Sequence, residues 1–427
     1  MSILCGTGRR IINPEIGHHI IGYGDDYLST GIHDDITVTA VYLHDGEQVA
    51  VLLNYDLLLL VRETSGRIRT AVAAALGITI KQVFIACTHT HSGPDVYELP
   101  GRTHCRQDYL DRLTQWSVES AVAARASAEA CHLRYNSVSA IGNMNRRFNF
   151  MDRRTVYTPD NKQLIGLSSE YVDPELGILA FRRVGTENSY KAVITNFTCH
   201  PVCVGNSSNL ISADYQGYLR RTVEETFAGC HCLAMTGAAG DNHPLNPESG
   251  FSGAAELGER LGRLAIMRAY DSVAVDDTRL RMAYTEIALP RRDQVTADMM
   301  PEASARAQPL SPDRSPIVTD ISLLGIGPFL LAGFPGEPVA ELGARLKWSS
   351  PFLKCYALFT ATDYLGYLPT VNQFRWGGYE TNTSHFACDA GDRVVDAMLN
   401  QAHRLLREQP LNVPALAVAG VTGRPSV

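Results

Sequence analysis

Chemistry first surfaces in the segment Thr88-His89-Thr90-His91-Ser92-Gly93-Pro94. It follows an apolar run, Val83-Phe84-Ile85-Ala86-Cys87, which reads as a buried strand. On an extended segment residues i and i+2 point the same way, so His89 and His91 are expected to share one face. Gly93-Pro94 then turns the chain away. A lone histidine here would read as a hydrogen-bonded loop residue, but two imidazoles at the carboxyl end of a strand suit a metal or a proton-transfer site. The pattern recurs. The apolar run 193–197 ends in Thr198-Cys199-His200-Pro201, and the run 330–334 ends in Pro335-Gly336-Glu337-Pro338. Glu337 would sit between that strand and a helix whose first residue is Pro338; alone, it would read as a first-turn carboxylate meeting the helix dipole. A run ending at Thr360 leads to Asp363-Tyr364-Leu365-Gly366-Tyr367. Four strand ends thus each supply a metal-capable side chain, and ligands in α/β folds gather beyond the carboxyl ends of strands. Two histidines, one carboxylate and a fourth oxygen describe a catalytic rather than a structural zinc site. Mn2+ or Fe2+ would accept the same nitrogen and oxygen donors.

The elements that must position these residues follow from the hydrophobic pattern. Apolar, β-branched runs at 49–61, 82–87, 192–197, 233–235, 320–334 and 355–360 predict buried strands. Three-to-four spacing predicts helices over 68–76, 109–124, 218–227, 254–269, 339–348 and 394–406. Segment 279–289 alternates more strictly, as an antiparallel strand with one wetter face does. Strands alternating with helices define an α/β fold, with mixed β-sheets flanked by helices and the zinc site at strand carboxyl ends. We expect one catalytic domain over 1–408, with polar loops at 146–166 and a Pro-, Asp- and Ser-containing excursion at 290–316, then a loosely packed tail at 409–427.

Composition narrows the classes of function. The 427 residues are 45% hydrophobic and 19% charged, with net charge −7. That profile supports a sizeable core and lacks the basic footprint of nucleic-acid or anionic-membrane binding. No apolar run approaches the ~20 residues that span a bilayer. The start, Met1-Ser2-Ile3-Leu4-Cys5-Gly6, lacks a basic region followed by an apolar one, so a cytoplasmic protein with reduced thiols is expected. Cys230 and Cys232 flank His231 without a second ligand pair, which predicts buried thiols rather than a zinc knuckle. Asp25, Asp26, His33, Asp34 and Asp35 form an acidic N-terminal cluster able to hold an amine or hydroxyl-rich substrate, or simply to face solvent.

Taken together, these motifs resemble the neutral/alkaline non-lysosomal ceramidase superfamily. The Thr-His-Thr-His-Ser-Gly-Pro segment at 88–94 carries the resemblance most specifically. Gly31-Ile32-His33, Asn143-Met144-Asn145-Arg146, Asn196-Phe197-Thr198-Cys199-His200, the segment 210–218, Ala239-Gly240-Asp241-Asn242-His243-Pro244, Pro335-Gly336-Glu337, Tyr364-Leu365-Gly366-Tyr367 and Gly378-Tyr379-Glu380 follow in family order. The resemblance implies His89, His200, Glu337 and Tyr367 as zinc ligands, choosing Tyr367 over Tyr364. It also implies His91, Arg146 and Tyr379 around the scissile carbonyl, where each can donate a hydrogen bond to a developing oxyanion. One departure stands out. The family carries a catalytic serine just before the proline of the segment 240–244, and this chain has His243. A histidine there could act as general acid or base, bind a substrate carboxylate, or merely pack.

These readings converge on a zinc hydrolase that opens an amide C–N bond of a small, polar substrate. Arg146 and Tyr379 would stabilise the oxyanion, and His91 or His243 would move the proton. The same site could serve an ester, a lactone or a glycosidic bond. A catalytically silent small-molecule binder is the alternative from another class, with the missing serine as its support. The sequence points to no nucleic-acid or membrane partner and leaves a homo-oligomer open.

Overall fold

The computed structural model describes residues 2–23, 27–98, 105–149, 155–157, 168–300 and 307–411. One large sheet runs through β1 (Ile3–Ile11), β2 (Thr37–His44), β3 (Val49–Tyr55), β4 (Val83–Cys87), β5 (Glu129–Ser139), β6 (Glu175–Arg183), β7 (Tyr190–Phe197) and β8 (His231–Thr236). Their spatial order is β8-β7-β6-β5-β1-β2-β3-β4. The pairings are antiparallel except at the two ends, where β3/β4 and β7/β8 are parallel. A second sheet holds β9 (Leu280–Leu289), β10 (Ile317–Ile326), β11 (Phe329–Gly333) and β12 (Lys354–Leu358), antiparallel up to a parallel β11/β12 pair.

Strand alternation builds four layers. Leu52, Phe84, Ile194, Leu233 and Met235 of the large sheet pack against Leu324, Leu331, Tyr356 and Leu358 of the small one. On the outer face, Val51, Leu53, Val83 and Ile85 meet α1 (Arg62–Leu76) and α2 (Gln107–Ala126). Val193, Cys232 and Ala234 meet α3 (Asp214–Thr226) and α4 (Gly250–Tyr270). Leu323, Leu330 and Ala357 meet α5 (Ala340–Ser349) and α6 (Ala390–Glu408). Each face of each sheet therefore has an apolar partner, the arrangement that stable layered folds require. No helix among the described residues is long and apolar enough to cross a membrane.

Three strand–helix–strand units, β3-α1-β4, β7-α3-β8 and β11-α5-β12, supply the parallel pairs. Such crossovers place the carboxyl ends of both strands at one edge, where the chain leaves the sheet. Across eight strands, a twist of roughly 20–25° per step accumulates to nearly half a turn. The two parallel ends of the sheet meet: Asn54 Nδ2 of β3 donates to Ala234 O of β8 at 3.3 Å, and the Thr236 hydroxyl at the end of β8 donates to Thr88 O just past β4 at 2.7 Å.

Several predicted elements take a different form. The run 320–334 is a hairpin, broken at Gly327, whose φ of 57° turns the chain between β10 and β11. Pro338 does not open a helix: Glu337–Pro338 pairs in parallel with Tyr367–Leu368, and α5 starts at Ala340. Pro338 still lies where its missing N–H costs nothing to a long ladder. The excursion 290–316 contains a short helix, Gln294–Met299, capped by Asp293, whose side chain accepts from Thr296 N. The tail beyond 411 lies outside the described residues.

On β1, Gly6 and Gly8 let α2 lie directly against the strand. A Cβ at Gly6 would stand 1.9 Å from the Ala124 carbonyl oxygen, and one at Gly8 2.2 Å from that of Ser120. Gly6→Ala must therefore push the helix off the sheet, and overpacking of this kind costs about 1–3 kcal/mol. We expect a lower urea midpoint with an unchanged slope; an unshifted midpoint would disprove the close approach.

Candidate active site

Three imidazoles meet at the common end of the parallel pairs. His89, His91 and His200 offer ring nitrogens that all lie within 4.8 Å of one another. Ring centroids are 4.7 Å apart for His89 and His200, 5.1 Å for His89 and His91, and 5.0 Å for His91 and His200. His89 and His91 do converge, but not by strand alternation as expected. β4 ends at Cys87, and His89 adopts the left-handed region with φ 71°. This conformation is uncommon outside glycine and is held by surrounding contacts. Here the His89 N–H donates to Leu57 O at 2.9 Å and the ring pairs with Leu58 O through Nδ1 at 2.7 Å. Thr360 and Thr362, just past β12, also have positive φ, 41° and 69°. Three strained residues thus cluster at one end of the fold.

The backbone sets the tautomers. A carbonyl oxygen only accepts, so Nδ1 of His89 must carry the proton it gives to Leu58 O, and Nδ1 of His200 must carry the one it gives to Ala239 O at 3.1 Å. Both Nε2 lone pairs consequently face the cluster, the orientation that metal-binding histidines acquire from carbonyl partners. Glu337 completes the group. Its Oε2 lies 3.5 Å from His89 Nε2 and, buried, makes no hydrogen bond, while Oε1 accepts from the Tyr364 hydroxyl at 2.7 Å. Burial opposes ionisation of Glu337, while a protonated His89, the Tyr364 hydroxyl and Arg146 pull the other way and hold the carboxyl below its usual range, and a cation in place of that His89 proton would act in the same sense. Burial, then the neighbouring imidazoles and Arg146, push His200 well down, and similar causes act on His91. Two inward lone pairs, one orphaned carboxylate oxygen and a third imidazole form a donor set that fits a divalent transition metal.

Tyr367, predicted as the fourth ligand, is buried beside Glu337 in the strand pair, and its ring lies 5.4 Å from that of Tyr379. Its neighbour Tyr364 is the one whose hydroxyl meets Glu337. Of the predicted carbonyl-side residues, His91 belongs to the imidazole cluster, while Arg146 and Tyr379 lie beside Tyr367, the guanidinium 5.5 Å from its ring centre. Arg146 donates from Nη1 to His243 Nε2 at 2.6 Å, and its guanidinium lies 5.4 Å from the Tyr379 ring centre. Arginine has no lone pair to offer, so His243 must accept through Nε2 and carry its proton on Nδ1. Burial, with Arg146, also drives the His243 pKa well below normal, consistent with a neutral ring. A short ladder, Asn143–Asn145 against Asn242–Pro244, fixes Arg146 and His243 on adjoining segments. Beneath them Asp241 accepts from Asn145 Nδ2 at 2.9 Å and from Ala340 N at 2.8 Å, and burial lifts its pKa to about 6.

Half-buried tyrosines surround the imidazoles: Tyr23 at 5.0 Å from His91, and Tyr97 at 5.6 Å from Tyr364. The acidic N-terminal cluster divides. Asp25 and Asp26 lie outside the described residues. His33, Asp34 and Asp35 line a separate groove of about 570 Å3 with Arg9, Arg221 and Glu224, and none of the site imidazoles belongs to it. Cys230 and Cys232 are buried. Two contributors lack a sequence signal of their own: Tyr364, three residues before the implied ligand Tyr367, and Glu380. Its carboxylate takes Arg146 Nε and Arg147 Nη1, both at 2.6 Å.

The chain belongs to the neutral/alkaline non-lysosomal ceramidase family, whose N-terminal model matches residues 4–239, more than half of it. The neutral ceramidase of Pseudomonas aeruginosa is 24% identical over 201 residues, which are 44% of this chain and 29% of that protein. This chain thus matches under a third of that relative's length. Among solved structures, neutral ceramidase from Pseudomonas aeruginosa superposes with TM-score 0.78 at 19% identity, over 98% of this chain and 76% of the other. A ceramidase complexed with C2 gives TM-score 0.76 at 16% identity, over 97% of this chain and 77% of the other. These likenesses establish the fold.

Proposed function

We propose that this protein is a zinc-dependent hydrolase opening an amide C–N bond of a small, polar substrate. The observation that carries the reading is the pair of inward-facing Nε2 lone pairs on His89 and His200 beside the orphaned Glu337 Oε2. His89, His200 and Glu337 would hold the metal, with Tyr367 as the fourth ligand. When bound, such a metal lowers the pKa of water toward ~7 and polarises a carbonyl. Family membership supports a hydrolase acting on amides.

The protein's own groups account for the rest. Arg146 is a buried fixed charge beside the imidazoles, suited to the oxyanion of a tetrahedral intermediate, with Tyr379 as a second donor. Amide hydrolysis also takes one proton from water and gives one to the leaving nitrogen. His91 is better placed for this than His243: its Nε2–H meets only the His200 Nε2 lone pair, at 3.0 Å, and would be released when a metal takes that lone pair, whereas the His243 Nε2 lone pair stays engaged by Arg146. His243 then serves as a neutral hydrogen-bond donor through Nδ1 at the position of the family's serine. The hydroxyl-bearing tyrosines around the cluster favour a polar substrate, and cytoplasmic placement remains part of the proposal.

The test is to measure bound metal and hydrolysis of an amide and ester panel before and after chelation. We expect activity to fall with metal content and to return with zinc. A metal-free preparation that cleaves the panel undiminished would end this account, and turnover restricted to esters would change the bond while keeping the site.

A further inference from the structure

Arg146 does not reach its position unaided. Its Nε donates to Glu380 Oε1 at 2.6 Å, and the other oxygen of the same carboxylate takes Arg147 Nη1 at 2.6 Å. All three side chains are almost wholly buried. Arg147 is tied further, by Nη2 to Gly377 O at 2.7 Å and by Nε to Glu170 at 3.1 Å, so its charge is balanced away from the site. With Nε held by Glu380 and Nη1 held by His243, the planar guanidinium of Arg146 has one orientation.

The turn carrying Glu380 is itself pinned from outside. Arg292, in the excursion 290–316, directs Nη1 at the carbonyl oxygens of Thr381, Asn382 and Ser384, at 3.4, 3.3 and 3.3 Å. The backbone joins the same two segments, through Arg292 N to His385 O at 2.9 Å and Ala387 N to Pro290 O at 3.0 Å. The excursion therefore packs on the arm that supplies both Tyr379 and Glu380.

We propose that Glu380 is a positioning residue of the active site, holding Arg146 in the orientation that meets the oxyanion and fixes the tautomer of His243. This rests on the functional reading above. A merely structural carboxylate would share its one negative charge between two buried guanidiniums, with Glu170 supplying the second, and do nothing else. A positioning carboxylate must also have the right reach, because a preorganised donor acts only when aimed at the developing charge.

Glu380→Asp separates the two roles, since it keeps the charge and withdraws the carboxylate by one methylene. We expect kcat to fall about 10- to 100-fold, a part of the ~10²–10³ that loss of a whole oxyanion donor costs. KM should stay within about threefold, as the interaction is made in the transition state. Bound metal should be unchanged. Combined with Arg146→Lys, the substitution should add almost nothing further, because both act through one guanidinium. Wild-type kcat in Glu380→Asp, or a fully additive double variant, overturns the inference while leaving the hydrolase reading in place. A wild-type protein inert on the whole panel overturns both. If Glu380→Asp does not fold, Arg292→Lys loosens the same arm and leaves Glu380 intact. It should lower kcat several-fold with metal retained, and an unchanged kcat there counts against the inference.

Discussion

Glu337→Gln should strip the metal and lower kcat by about 10³-fold or more, with the fold preserved. The carboxylate is buried between two kinds of partner. Oε1 is committed to the Tyr364 hydroxyl, and Oε2 faces His89 Nε2 without a hydrogen bond of its own. An amide keeps the shape and the Tyr364 contact but removes the negative charge and can turn an NH2 toward the imidazole. A divalent cation would then meet two neutral nitrogens and no carboxylate, which is a poor site for an ion that favours anionic oxygen among its donors. Lewis-acid and water-activation effects are worth several kcal/mol, and each 1.36 kcal/mol is a factor of ten. Metal analysis of purified wild-type and variant chains, with circular dichroism as the control for folding, reads the result. Equal metal content in Glu337→Gln would remove Glu337 from the ligand set. Metal lost with activity retained would remove the metal from the reaction.

What the sequence disclosed follows a physical division. The parallel, doubly buried strands β3, β4, β7, β8, β11 and β12 read as continuous apolar runs because helices and a second sheet cover both faces. Their carboxyl ends were therefore visible, and with them His89, His200 and Glu337. The antiparallel strands in the middle of the large sheet were not. β1 carries Gly6, Gly8, Arg9 and Arg10, and its glycines answer to the approach of α2, more than a hundred residues away. β5 mixes half-exposed polar positions with buried Cys131 and Leu133. Local pattern cannot express either requirement.

The site divides in the same way. Short-range signals placed the imidazoles beyond their strands, although the left-handed turn at His89 was hidden because nothing in Thr-His-Thr-His demands it. Contacts across the chain were beyond reach. Arg146 and Glu380 are 234 residues apart, so their pairing depends on how the short Asn143–Asn145 ladder meets the arm at 378–384. The choice between Tyr364 and Tyr367 turns on the parallel register of Glu337 with Tyr367. That register sets Tyr367 beside Glu337 in the ladder, yet it is the Tyr364 hydroxyl that reaches the Glu337 carboxylate.

Arg146→Ala should lower kcat/KM by about 10²–10³-fold while leaving bound metal unchanged, the opposite split from Glu337→Gln. The magnitude is that of removing one preorganised oxyanion donor. The retained metal is expected because the hydrogen bonds that orient Arg146 run to His243 and Glu380, neither of which is among the residues that would hold the metal. Arg146→Lys should recover only part of the loss. An ammonium keeps the charge but is a single point, and it cannot satisfy His243 Nε2 and Glu380 Oε1 together in the plane the guanidinium occupies. His243→Ala should cost less than Arg146→Ala, because Arg146 would still be held by Glu380 through Nε. A guanidinium aimed by its neighbours has a definite signature in kcat/KM. Arg146→Ala falls below Arg146→Lys, and His243→Ala lies between Arg146→Ala and wild type. If Arg146→Lys matches wild type, charge alone suffices and the fork has no part. If His243→Ala is the most damaged of the three, the His243 imidazole itself moves the proton and His91 does not.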